Sequence, residues 1–329
     1  MNQELTFYGD NLEKSINEVQ YERPALIENL LYEKSALLIY ADDGVGKSIV
    51  ALQICMQSTI KDAKVFGLFN ADKACKVIYF QMERHTDESF ERMRHLRNVL
   101  PFDLPNFVLS VELQGVNLQN NESLNKAFKK VDEIISRVGF IPDIMVFEPI
   151  YTLVPDDLST APACNAITSF FRVLQLKTGA TILATSHTNR GVRDRDTHKR
   201  VGKDMYGSRF LSAFFTGSYH LEPKKDGFGS VWTLDKNSQK NLEKKIDLTY
   251  DPSCYRSWTS GDERMTKLDK LNMFIQTCKN TQKEFSFDDM LKFSDLSDSM
   301  LRRYLSSHLK NTINISTKLS RGKILYRVG

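Results

Sequence analysis

Nowhere do the 329 residues run apolar for the roughly 18 positions that a membrane-crossing helix needs. The opening stretch, MNQELTFYGDNLEKS, has no basic segment followed by an apolar one. It therefore reads as a lead-in arm over residues 1–20 and not as a secretory signal. Cysteine is sparse: Cys55, Cys75, Cys164, Cys254 and Cys278 are scattered, with no pair at metal-ligand spacing. That pattern argues against a disulfide framework and a zinc site, and for a reducing, cytoplasmic setting. Charge of one sign is lacking too, since a net +4 is too mild to imply nucleic acid from the sum alone. No internal repeat or low-complexity tract is present. What remains is 41% hydrophobic residues and a mean hydropathy of -0.37, the balance of a water-soluble chain with a proper core. Its length predicts one large domain and one small one.

The most informative stretch is Ala36–Ser48, ALLIYADDGVGKS. Ala36–Tyr40 reads as a buried strand, and the residues from Lys47 on have helical spacing, giving a helix over 47–59. Between them lies the phosphate-binding pattern G-x-x-x-x-G-K-[ST], with Ala41 at the first glycine position. Asp43, Gly44, Val45, Gly46, Lys47, Ser48 and Ile49 form the predicted nucleotide-binding set. Backbone N–H groups and the helix dipole converge there on phosphate, and glycine allows the close approach. Lys47 is placed to reach the β/γ-phosphates, and the Ser48 hydroxyl to ligate Mg²⁺. The competing account is a Gly-rich turn before a core helix.

Further strands are expected at Cys75–Gln81, Phe107–Val111, Ile144–Phe147 and Thr181–Thr185. They alternate with helices after Glu83, over Ser123–Arg137 and over Ala163–Leu176. Apolar strands interleaved with helices predict an α/β fold with a mostly parallel sheet covered on both faces. Such sheets bind ligands at the carboxyl ends of their strands. Glu83, Glu148 and His187 all fall just past strand ends, beside the phosphate loop. The alternatives are a surface charge paired with Arg84 for Glu83 and a hydrogen-bonded structural role for His187.

After His187 comes a basic stretch with Arg190, Arg193, Arg195, Lys199, Arg200 and Lys203. A short helix, Ser208–Phe215, precedes antiparallel strands at Gly217–Leu221, Ser230–Leu234 and Ile246–Tyr250, and Asp251–Gly261 reads as a linker. The tail reads as helices Lys267–Cys278, Phe287–Phe293 and Ser297–Leu309, then two strands within Asn314–Tyr326. This order spells a winged helix-turn-helix. The tail's excess of Lys and Arg over Asp and Glu accounts for the chain's whole positive charge. Arg302, Arg303 and Lys310 would lie on the recognition helix, and Arg321 and Lys323 on the wing, touching duplex DNA. The alternative is a protein-docking or dimerisation module.

ADDGVGKS (41–48), VIYFQMER (77–84), IMVFEP (144–149), ATSHTNR (184–190) and YGSRFLSAF (206–214) together resemble RecA-fold ATPases. They are most similar to plasmid RepA-type hexameric replicative helicases related to DnaB. The resemblance spans roughly 21–250 and not the tail. It implies an ATPase domain over 21–260, with a separate winged-helix domain over 261–329. It also implies ATP and Mg²⁺ as cofactors and a homo-hexameric ring with single-stranded DNA in its channel. Glu83 then corresponds to the carboxylate that activates water, Glu148 to the acidic group holding Mg²⁺, and His187 to the γ-phosphate sensor. The stretch Arg190–Lys203 corresponds to the channel loop that grips DNA, with a solvated charged loop as the competing account. Relatives reach into a neighbouring subunit with an arginine; Arg209 and Lys236 are the candidates here, and no arginine follows two residues after Lys236. The resemblance leaves open an ATP-gated DNA loader without unwinding activity and a RecA-like recombination mediator.

Overall fold

The computed structural model describes residues 13–14, 23–97, 100, 102–158, 160–188, 209–224, 229–238, 241–251, 254–257, 271, 275, 284–294, 297–305, 315–320 and 323–328. The basic stretch 190–203, Lys310 and Arg321 lie outside them, as do nearly all of the arm and most of the linker.

In chain order the strands are β1 (Ala25–Ile27), β2 (Leu31–Tyr32), β3 (Ala36–Ala41), β4 (Ala63–Val65), β5 (Phe69–Ala71), β6 (Val77–Gln81), β7 (Phe107–Ser110), β8 (Ile144–Glu148), β9 (Thr181–His187), β10 (Gly217–Pro223), β11 (Gly229–Asn237), β12 (Lys245–Asp251) and β13 (Cys254–Ser257). The helices among them are α1 (Lys47–Ser58), α2 (Thr86–Arg97), α3 (Asn121–Val138), α4 (Ala161–Thr178) and α5 (Arg209–Phe214). Nine strands form one sheet in the order β13-β12-β11-β10-β3-β9-β8-β6-β7. Pairing is parallel from β10 through β7 and antiparallel from β10 through β13. β1–β2 and β4–β5 are small hairpins beside it.

Because strand side chains alternate between faces, odd and even positions divide the core into two layers. Leu37 and Ile39 of β3, Val77 and Tyr79 of β6, and Ile144 and Val146 of β8 pack with Val50, Ile54 and Met56 of α1. Leu38 and Tyr40, Ile78 and Phe80, and Met145 and Phe147 pack on the opposite face with Val131 of α3 and Ile167, Phe170 and Phe171 of α4. Each strand is apolar on both sides because each face is covered.

Local chemistry sets the helix ends. Asn120 caps α3 by accepting a hydrogen bond from the Ser123 N–H at 2.9 Å, and Gly139 ends the helix at φ 73. Thr160 and Gly179 do the same for α4. The hairpin β4–β5 goes beyond the strands expected from sequence, and its turn holds Phe66 at φ 57. Such a φ is costly for a bulky residue. The ring is fully buried edge-on against Trp232, with centroids 5.4 Å apart.

In the tail, β14 (Phe285–Ser286), β15 (Ile315–Ser320) and β16 (Lys323–Val328) form a three-stranded sheet with β16 in the middle. α6 (Phe287–Ser294) and α7 (Asp298–Tyr304) precede the hairpin. Met290 and Leu301 are buried with Phe285, Leu271 and Ile275 in a core of their own. The helix expected over Ser297–Leu309 is described to Leu305. Ser297 caps it, its hydroxyl accepting from the Met300 N–H at 3.4 Å.

Candidate functional site

The alternation that builds the core also builds the cleft. Gln81 continues the Val77–Tyr79 face of β6, Glu148 the Ile144–Val146 face of β8, and Thr185 and His187 the Leu183 face of β9. All therefore project on the side of the sheet covered by α1. Register sets neighbours: Gln81 stands beside Glu148, and Ala41 beside His187. At that edge β3 turns into α1 through a loop in which Gly44 and Gly46 adopt φ 77 and 98. Ala41 is absent from the positive-φ positions, so alanine fits where the motif usually has glycine.

The result is a cleft of about 340 Å³ lined by the loop residues Asp43, Gly44, Gly46, Lys47, Ser48 and Ile49, and by Glu83, Arg84, Arg92, Glu148, Pro149, Thr185 and His187. Four side chains expected at the site from sequence (Lys47, Glu83, Glu148 and His187) thus share one cavity. Lys47 Nζ donates to the carbonyls of Ala41 (3.0 Å) and Asp42 (2.9 Å) and lies 3.4 Å from His187 Nδ1. Burial pushes its pKa below the usual lysine value, partly offset by Asp43, Asp42, Glu148 and Glu83. His187 Nδ1 is also 2.6 Å from Asp43 Oδ1.

The two carboxylates are held differently. Glu148 is 3% exposed, and its Oε2 accepts from Tyr79 OH at 2.9 Å and Gln81 Nε2 at 2.7 Å. Burial and then Glu148 push the Tyr79 hydroxyl's pKa well up, so it stays a donor. Gln81 turns its other end outward: Oε1 accepts the N–H groups of Glu83 (2.8 Å) and Arg84 (2.9 Å). Glu83 is exposed towards the cleft, and its Oε1 accepts from Tyr151 OH at 2.6 Å. Arg84 binds Glu88 at 2.9 Å, which removes the surface-pair account of Glu83.

Arg209 begins α5, and Lys236 Nζ lies 3.4 Å from the Ala213 carbonyl. Both belong to the β10–β11 side of the sheet and not to the cleft lining. Arg302 and Arg303 are exposed on α7, with Arg302 tied to Asp298 at 2.6 Å and 4.7 Å from the Phe287 ring centroid. Sequence reasoning missed Tyr79, Gln81, Tyr151 and Thr185. Two-residue alternation from Tyr79 to Gln81 was the available signal.

The donor set fits a nucleotide with a hard divalent cation. A serine hydroxyl at a helix start and a carboxylate are the oxygen ligands Mg²⁺ takes, with phosphate and water completing its shell. Among the described residues no group of three His, Cys, Asp or Glu side chains could hold a metal without such help. Thr185 Oγ1, buried in the cleft lining, has no protein partner among them. A bound polar ligand would satisfy it.

The family described as an AAA domain matches residues 8–192, more than half of the sequence. The chain belongs to the AAA domain family. No curated protein matches it. Among solved structures, the ATPase domain of a DnaB-family helicase superposes with a TM-score of 0.52 at 12% identity, covering 75% of this chain and 96% of that one. The KaiC-like protein PH0186 of Pyrococcus horikoshii OT3 gives 0.49 at 12% identity, covering 72% and 99%. This AAA domain chain therefore has a RecA-like P-loop ATPase core, built on a mostly parallel α/β sheet. Among its described residues no helix is long and apolar enough to cross a membrane.

Proposed function

We propose that the chain is an ATP-hydrolysing DNA translocase or helicase of the plasmid RepA type, acting as a homo-hexameric ring in replication of a plasmid, phage or other mobile element. The observation that carries the ATPase part is the meeting of Lys47, Ser48, Glu83, Glu148 and His187 in one cleft at the carboxyl edge of the parallel strands. Phosphoryl transfer needs positioning and charge neutralisation more than covalent chemistry, and this set supplies both. Lys47 and the loop N–H groups bind phosphate, with Asp43, Gly44, Val45, Gly46 and Ile49 completing the cradle. Glu83 orients and deprotonates the attacking water. Ser48 and Glu148 hold Mg²⁺, which neutralises phosphate charge when bound. His187 senses the γ-phosphate.

Support for DNA comes from composition and position. The basic residues of 190–203 directly follow the sensor, where the resemblance puts the channel loop. The tail's order of helices and hairpin is that of a winged helix over 261–329, offering Arg302, Arg303, Lys310, Arg321 and Lys323 to duplex phosphates and bases. Arg209 or Lys236 would complete a neighbour's site. Residues 21–260 form the ATPase domain, after an arm over 1–20, and the setting is cytoplasmic.

A second reading, an ATP-gated DNA loader that never unwinds, is favoured by Ser238 standing where an arginine would follow Lys236. ATP turnover measured with and without single-stranded DNA, with assembly mass determined in bound nucleotide, separates them. DNA-stimulated turnover by a hexamer with strand separation supports the first. Slow, unstimulated turnover without unwinding supports the second, and filaments would support a recombination mediator.

A further inference from the structure

Between the two polar groups that the ATPase reading uses most, Glu83 and His187, stands a side chain with no role so far. Tyr151 lies on the 3-10 turn Ile150–Leu153, just past the end of β8. Its hydroxyl donates to Glu83 Oε1 at 2.6 Å, the length of a charge-assisted bond to a carboxylate. Its ring packs on the His187 imidazole with centroids 4.8 Å apart at 45°. The same side chain thus touches the proposed water-activating carboxylate with its tip and the proposed sensor with its face.

The rest of Glu83 is already fixed. Its backbone N–H is held by Gln81 Oε1, and Gln81 Nε2 in turn holds Glu148. The main chain of Glu83 is therefore tied to the Mg²⁺ carboxylate, and only its own carboxylate needs placing. Tyr151 supplies that second anchor. Burial, and then Glu83 itself, raise the phenol's pKa above its ordinary value. The phenol thus keeps its proton at neutral pH and acts as a donor, not as a base.

We propose that Tyr151 is a positioning residue that holds the Glu83 carboxylate for the attacking water and couples it to the position of His187. This rests on the ATPase reading and deepens it. Movement of the His187 ring on meeting a γ-phosphate shifts the Tyr151 ring against it, and the hydroxyl carries that shift to Glu83. The sensor and the base then respond as one unit, although neither contacts substrate through Tyr151.

The test uses the full chain. Tyr151→Phe keeps the ring on His187 and deletes only the hydroxyl. It should lower kcat about tenfold to a hundredfold, the cost of slight misplacement of a reacting group. KM for ATP and affinity for a fluorescent ATP analogue should stay within about twofold, because the phosphate loop is untouched. In a Glu83→Gln background the same substitution should cost nothing further, since there is no base left to position. General loosening of the fold would instead lower activity in both backgrounds. Full kcat in Tyr151→Phe, an undiminished further loss on Glu83→Gln, or a rise in kcat marking the bond as a restraint would each overturn the proposal alone. A wild-type chain that binds the analogue but turns over no ATP would overturn the ATPase reading, and the proposal with it.

Discussion

Lys47 carries a cost in the fold that only a ligand repays. Its side chain is buried, the residue being 8% exposed, and burial lowers its pKa from 10.5. The folded chain therefore binds this proton less tightly than the unfolded chain. The resulting penalty is complete below the folded pKa and fades as pH rises through it towards 10.5. Lys47→Met should melt no lower than the wild type without nucleotide at pH 7, and up to roughly 3 °C higher, with the gap closing at alkaline pH. It should also lose the rise in melting temperature that ATP gives the wild type. A clearly lower nucleotide-free melting temperature would show instead that the bonds to the Ala41 and Asp42 carbonyls outweigh the burial. The two carboxylates should separate cleanly. Glu83→Gln should bind ATP and hydrolyse it about 10²–10⁴-fold more slowly, the usual cost of losing a general base. Glu148→Gln should raise the Mg²⁺ concentration needed for turnover, and trapping of ATP by Glu148→Gln alone would exchange the roles. At this scale Lys47, Glu83, Glu148 and His187 were legible because a short motif and strand ends mark them. Tyr151 and Thr185 were not: a tyrosine after Ile150 and a threonine inside an apolar strand look like core until the third dimension aims them into a cleft.

Among the elements, long periodic ones were readable and short ones were not. Each of β3, β6, β8 and β9 is an apolar run bounded by turns, and α3 and α4 end on capping residues, so their limits fell within a few residues of expectation. β1–β2 and β4–β5 are two or three residues long, too short to show any period. Burial of Phe66 against Trp232 decides the second of them, and no local propensity would place a phenylalanine at positive φ. The antiparallel strands offer a sharper test. Gly229 opens β11 at φ 132, and a Cβ there would lie 2.0 Å from the Leu248 carbonyl oxygen and 2.9 Å from Thr249 Cα. Gly229→Ala should therefore destabilise the chain by about 2–4 kcal/mol through strain and a displaced β12. Denaturant unfolding would register this as a lower midpoint, and an unchanged midpoint would mean that β12 is loosely held.

For the molecule as a whole, every proposed catalytic residue lies before the tail. Deleting Met265–Gly329 should leave basal ATP hydrolysis within about twofold and reduce duplex binding, with single-strand stimulation preserved. A truncated, soluble ring with unchanged duplex affinity would make the tail a docking module, and a collapse of basal turnover would make it an assembly element. The sheet order has another consequence. β3, which carries the phosphate loop, is flanked by β9 and β10, pairing Leu37 with Leu183 on one side and with Gly217 on the other. During synthesis the loop and its lysine emerge early, yet the strand bearing them waits for partners that come far later in the chain. Until then β3 presents two apolar, unpaired edges, open to any other extended chain nearby. Nascent chains of this protein are accordingly at greatest risk of cross-pairing between the emergence of Ala41 and that of Leu221, and nucleotide cannot rescue them in that interval, because its site does not yet exist.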